Sequence, residues 1–102
     1  MKRYYVYMLK CSDGSFYVGV TSAIEVRIAQ HQTGWNPRCY THERRPVKLV
    51  HVSEFIDVHQ AIAWEKQLKG WSRKKKIALM MGDFEKIHEH VAAQRHGRAK
   101  RA

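Results

Sequence analysis

Tyr4 to Cys11 (YYVYMLKC) packs aromatic and β-branched side chains at the density of a strand, and Phe16 to Thr21 (FYVGVT) repeats the pattern. Ser12-Asp13-Gly14 between them is a turn sequence, with Gly14 suited to a left-handed backbone. The two segments therefore predict a β-hairpin. Ser22 then stands ahead of Glu25 at capping-box spacing, which predicts a helix from about Ala23 to Thr33, stopped by Gly34. Trp35 to Arg45 contains Asn36-Pro37 and mixes basic with polar residues, as a surface loop does. Pro46 opens a third alternating segment, Val47 to Phe55 (VKLVHVSEF). Asp57 is placed to cap a second helix reaching about Lys69, with Gly70 ending it. Ser72 is placed to cap a third, over Arg73 to about Met81.

A weaker helical stretch runs from Gly82-Asp83 to about Gln94. The order is ββαβαα with an optional last helix, an α+β arrangement of one small sheet with helices against it. The expected organisation is a domain over residues 1–82, a helical extension packed on it over 83–96, and a basic tail over 97–102 that frays.

Charge narrows the function. Nineteen Lys and Arg against nine Asp and Glu give a formal net charge of +10, an excess that repels itself in a compact chain unless an anionic partner offsets it. Nucleic acid is the first candidate, because neutralised phosphates release counterions and drive binding. A membrane surface ranks lower, since no segment pairs a strong apolar face with a purely basic one, and no apolar run is long enough to span a bilayer. With two cysteines, no CxxC pair and no signal-peptide pattern, the expectation is a cytoplasmic protein with reduced thiols.

Several residue pairs carry chemistry. If Ser12-Asp13-Gly14 is a three-residue loop with a bulge at Gly14, Leu9 faces Tyr17, and Tyr7 and Tyr17 share a sheet face as diagonal neighbours, roughly 7–8 Å apart. A two-residue Asp13-Gly14 loop puts them on opposite faces, and the sequence leaves both registers open. Paired tyrosines by themselves are more often strand packing than a site. Arg27 and His31 lie four apart on one face of the first helix, where a guanidinium can clamp phosphate and an imidazole can move a proton. Alone, such a pair is commonly a polar surface stripe.

Glu65 falls within the apolar stripe of Val58, Ala61, Ile62 and Leu68, so its carboxylate needs a cation or hydrogen bonds. Mg²⁺ or Mn²⁺ is one such cation, and Lys69 one turn later is the plainer partner. Lys69, Arg73, Lys74, Lys75 and Lys76 surround Trp71. The lysines are expected to contact phosphate and Trp71 to anchor a helix corner, with Arg38, Arg44 and Arg45 extending the basic surface. His88, His90 and His96 lack the further ligands of a zinc site.

Tyr5-Val6-Tyr7, followed by Tyr17-Val18-Gly19, resembles the two halves of the GIY-YIG motif, and the match continues through Arg27, His31 and Glu65. The opening residues and Glu65-Lys66-Gln67-Leu68-Lys69-Gly70-Trp71-Ser72-Arg73 are similar to the small, single-domain bacterial members of that nuclease superfamily. The resemblance runs from about residue 3 to residue 81. It implies a three-stranded antiparallel sheet flanked by helices and a phosphodiesterase site on one side of it.

By position, Tyr7 and Tyr17 would supply the site phenols, Arg27 would hold the scissile phosphate, His31 would orient or deprotonate a phenol or water, and Glu65 would bind one Mg²⁺ or Mn²⁺. The expected function is metal-dependent hydrolysis of DNA phosphodiesters, selective for structure rather than sequence. The alternative is a non-catalytic DNA- or RNA-binding module on the same scaffold. Tyr5 replaces the first glycine of the motif. The asparagine that many relatives carry after the metal-binding glutamate has no counterpart, since Asn36 is the only Asn in the chain. Its task would fall to Ser72 or a lysine of the Lys74 to Lys76 run, or be dispensable.

Overall fold

The computed structural model describes residues 2–82. Three strands and three helices follow in the expected order: β1 (Tyr4–Lys10), β2 (Phe16–Thr21), α1 (Ile24–Thr33), β3 (Lys48–Phe55), α2 (Val58–Lys69) and α3 (Arg73–Met80), with a short 3-10 turn at His42–Arg44. The fourth helix expected up to Gln94, and the basic tail, lie outside the described residues. The backbone divides into two compact units between Gly70 and Trp71. The sheet, α1 and α2 form the first unit, and α3 belongs to the second.

All three strands are antiparallel, in the order β2-β1-β3. The hairpin adopts the three-residue loop: Leu9 pairs with Tyr17, and Tyr7 with Gly19. Two backbone bonds close it, from Cys11 N to Ser15 O at 2.8 Å and from Gly14 N to Cys11 O at 2.9 Å, with Gly14 at φ 85°. That left-handed residue is the bulge that lets the strand return in this register. One sheet face therefore presents Tyr7, Leu9 and Tyr17. With Cys11 and Val47 they make a core against which Ile24 and Ile28 of α1 pack. Leu49 and Val52 stay partly exposed and line a groove of about 510 Å³ with Tyr5, Ile24 and Ile28. None of Tyr7, Tyr17, Arg27, His31 or Glu65 lines that groove.

The helix ends mostly follow the sequence signals. The Asp57 side chain accepts from His59 N at 2.9 Å, the Ser72 hydroxyl accepts from Lys75 N at 3.2 Å, and Gly34 closes α1 in the left-handed region. At the start of α1 the capping box does not form. Ala23 is the cap residue and makes no side-chain cap bond, while the Thr21 hydroxyl takes the Ala23 N–H at 3.0 Å. Thr21 ends β2 with its side chain buried at the strand–helix corner, so it reaches the free N–H groups before the exposed Ser22 does.

Candidate active site

The hairpin and the second half of α1 bring four side chains together. Tyr7 sits mid-strand on β1, Tyr17 beside it on β2, and their ring centroids are 6.3 Å apart. His31, in the last turn of α1, stands over both, with its ring centroid 5.6 Å from Tyr7 and 5.0 Å from Tyr17. Its Nε2 lies 2.8 Å from the Tyr7 hydroxyl oxygen. Arg27, one turn earlier, donates its Nε–H to Gln30 Oε1 at 3.1 Å, and its positive charge works to lower the Tyr7 phenol pKa. Tyr7 and His31 are covered, whereas Tyr17 and Arg27 keep part of their surface.

Gly19 makes this packing possible. Opposite Tyr7 in the ladder, it leaves the room that the phenol ring fills, and a Cβ there would lie 2.5 Å from Tyr7 Cζ. The glycine is required by close approach, because its backbone conformation is one any residue adopts.

Electrostatics follow from the burial. Burial first, and the neighbouring Tyr17 second, raise the Tyr7 pKa well above that of a free phenol, while Arg27 works in the opposite direction. Tyr17 is raised too, again chiefly by burial. Burial and then Arg27 lower the His31 pKa, so its imidazole is neutral at pH 7 and has one nitrogen free to accept a proton.

Two neighbours of the cluster have no counterpart in the sequence-level reading. Thr41 is buried, with its hydroxyl oxygen 2.8 Å from His31 Nδ1, and it donates to Cys39 Sγ at 3.4 Å. Cys39 Sγ also lies 3.8 Å from His31 Nδ1. Trp35 and Tyr40, from the same loop, are exposed aromatics at the rim. Trp35 meets His31 edge-on at 5.3 Å, and Tyr40 stacks beside Tyr17 at 6.3 Å. A loop assignment from Asn36-Pro37 carries no signal for any of these contacts, which depend on where the loop folds back.

Glu65 is buried on α2, which packs on all three strands. Its carboxylate holds the Lys69 ammonium at 2.5 Å, and Lys69 is close enough to Tyr17 that each affects the other's ionisation. No group of three or more His, Cys, Asp or Glu that could hold a metal occurs among the described residues. A single carboxylate suits Mg²⁺, which commonly takes one carboxylate with phosphate and water completing its shell. In this structure the carboxylate is paired with the Lys69 ammonium, whose side chain is about half exposed.

The expected basic surface resolves into different roles. Arg38 and Lys74 are exposed. Arg44 is a structural tie: its Nε bonds Asp13 Oδ2 at 3.1 Å, Nη1 donates to Tyr40 O at 2.8 Å, and the guanidinium lies 3.8 Å from the centre of the Tyr40 ring. Arg45 donates to His42 O at 2.8 Å and packs over Gly34. Within the second unit Arg73 is exposed and Lys76 half-buried. Lys75 corrects the sequence-based expectation. It is covered, its Nζ has no hydrogen-bond partner and lies 5.0 Å from the Trp71 ring centroid, so it is not placed to meet phosphate. It shares the buried positions of α3 with Ala78 and Leu79, three and four residues on.

A three-stranded antiparallel sheet whose paired strands present two phenols to a helix-borne arginine and histidine, with a glutamate on the next helix, defines a class. The chain matches the GIY-YIG catalytic domain over residues 3–78 and belongs to that family. Among its relatives is a UPF0213 protein of Bacillus pumilus, 40% identical over 91 residues, covering 86% of this chain and 92% of the relative. The UPF0213 protein SSP2268 of Staphylococcus saprophyticus is 41% identical over 80 residues, covering 78% and 96%. The solution structure of the UPF0213 protein BH0048 from Bacillus halodurans is 39% identical, covers 78% of this chain and 83% of its own, and superposes with a TM-score of 0.51. The solution structure of EF2693 from E. faecalis is 33% identical, covers 82% and 88%, and superposes at 0.57. No described helix is long and apolar enough to cross a membrane.

Proposed function

We propose that the chain is an endonuclease that hydrolyses DNA phosphodiesters with one divalent cation, Mg²⁺ or Mn²⁺, held at Glu65. The observation that carries this reading is the meeting of Tyr7 with the neutral imidazole of His31 at 2.8 Å, beside Arg27. A phenol with a proton acceptor already in place, next to a guanidinium able to grip phosphate, is the equipment for activating water against a phosphodiester.

The two phenols divide the work by exposure. Tyr17 keeps some surface and orients the water on the phosphate that Arg27 holds. Tyr7 passes its proton to His31 Nε2 and takes one from that water as the water oxygen attacks phosphorus. Because the Tyr7 ring is covered in the free protein, substrate docking has to bring its oxygen into reach. Bound at Glu65, the cation supplies charge stabilisation for the phosphate and the leaving oxygen. Trp35 and Tyr40 at the rim offer aromatic surface to unstacked bases, which favours branched, flapped or single-stranded DNA over sequence recognition.

The test is cleavage of labelled single-stranded, duplex, flap and branched DNA with Mg²⁺ or Mn²⁺, with and without chelator. Metal-dependent products support the reading. Salt-sensitive binding without cleavage on every substrate would favour a binding module on the same scaffold.

A further inference from the structure

The His31 ring is held from both sides, and the protons of its neighbours can be counted. The Tyr7 phenol keeps its proton at neutral pH, since burial raises its pKa well above that of a free phenol. The covered Tyr7 hydroxyl then needs an acceptor for its own proton, and His31 Nε2 lies 2.8 Å away. If Nε2 carried the ring proton instead, the covered Tyr7 proton would lose that acceptor.

On the other side, the Thr41 hydroxyl donates to Cys39 Sγ and so offers His31 Nδ1 a lone pair at 2.8 Å. Both sides fix the same tautomer. We propose that Thr41 is a positioning residue that holds His31 in its Nδ1–H form, in a directed chain Tyr7 O–H to His31 Nε2, His31 Nδ1–H to Thr41 Oγ1, and Thr41 O–H to Cys39 Sγ.

The chain leaves the His31 Nε2 lone pair aimed at the phenol, with no proton to be moved before that nitrogen can accept one. Loss of the Thr41 hydroxyl removes the acceptor of Nδ1–H at a site that water does not reach, and the ring then gains by moving its proton to Nε2 or by turning. In that form it donates to Tyr7 and cannot receive. Partners that orient metal-bound histidines in this way contribute about tenfold to a hundredfold, and the same scale is expected here.

This inference rests on the nuclease reading only for its consequence on rate; the tautomer is read on the free protein. Long-range proton–nitrogen correlation spectra of the ¹⁵N-labelled full chain separate the two ring nitrogens of His31, assigned by comparison with His31→Gln. The expected result is the Nδ1–H form in the wild type and in Thr41→Ser, loss of that signature in Thr41→Val, and cleavage about ten- to a hundredfold slower in Thr41→Val alone. A wild-type His31 in the Nε2–H form overturns the proposal, as does a folded Thr41→Val protein with an unchanged tautomer. Should no DNA be cleaved, the spectra still decide the tautomer, and only the nuclease reading falls.

Discussion

Tyr7 Oη and His31 Nε2 meet at 2.8 Å across 24 residues of sequence, in a covered contact between β1 and α1. The pair joins the two parts of the motif that sequence spacing can only place separately. Its chemistry depends on His31 being neutral. Burial and then Arg27 hold the imidazole pKa below 6.5, while the phenol pKa is pushed upward.

This gives a pH prediction with a definite sign. The unfolded chain protonates His31 near pH 6.5, whereas the native ring resists until lower pH. The native state therefore loses stability as pH falls from about 6.5 to the depressed native pKa, and this group adds no further loss below it. Thermal unfolding of wild type and His31→Gln from pH 7.5 to 5 is expected to show a smaller acid-side fall in Tm for the variant. Equal falls would mean that the ring is not buried neutral.

Gly19 is expected to be intolerant of the smallest change. In Gly19→Ala the new methyl overlaps the covered Tyr7 ring, which is held on its far side by His31. The expected destabilisation is about 1–3 kcal/mol, the usual range for overpacking, and urea unfolding would measure it. Any cleavage is expected to fall by more than the lost stability explains, because relief of the clash moves Tyr7 off His31.

In the proposed site, a cation at Glu65 has to displace the Lys69 ammonium from the carboxylate. A pair with one half-exposed partner contributes about 0.2–1 kcal/mol, so Lys69→Met is expected to tighten Mn²⁺ binding only about 1.5- to 5-fold. Calorimetric titration of Mn²⁺ on both proteins would show it. Unchanged or weaker binding would place the cation elsewhere.

The basic residues are expected to separate by experiment as they do in the structure. Arg38→Ala and Lys74→Ala should each lower the salt slope of DNA binding by about 1, as loss of one phosphate contact does. Arg44→Ala should instead lower Tm, since it frees Asp13 and Tyr40 together. Lys75→Met should leave the salt slope unchanged, because its ammonium is covered and makes no hydrogen bond. Fluorescence titrations at several salt concentrations distinguish these outcomes.

Element order and most helix ends were legible because they rest on local chemistry, such as Asp57 and Ser72 as caps and Gly34 as a stop. The hairpin register was open, because a one-residue difference in loop length changes which face Tyr7 shares with Tyr17, and only the Gly14 bulge decides it. Ser22 misled for a related reason: Thr21 lies closer to the same N–H groups once the strand is built. Thr41 and Cys39 were invisible in the sequence. Their role comes from a loop returning over α1, a long-range contact that neither spacing nor periodicity encodes. Lys75 looked like its neighbours in a charge run, and only the helix phase of α3 separates it from them.

The proposed chemistry is tested by cleavage of labelled flap, branched and single-stranded DNA by wild type, Tyr7→Phe and Glu65→Gln, with binding followed in parallel. Mg²⁺-dependent cleavage by the wild type is predicted, with at least about a hundredfold loss in each variant and little change in DNA binding. Cleavage that survives both substitutions would mean that neither Tyr7 nor Glu65 takes part in the reaction.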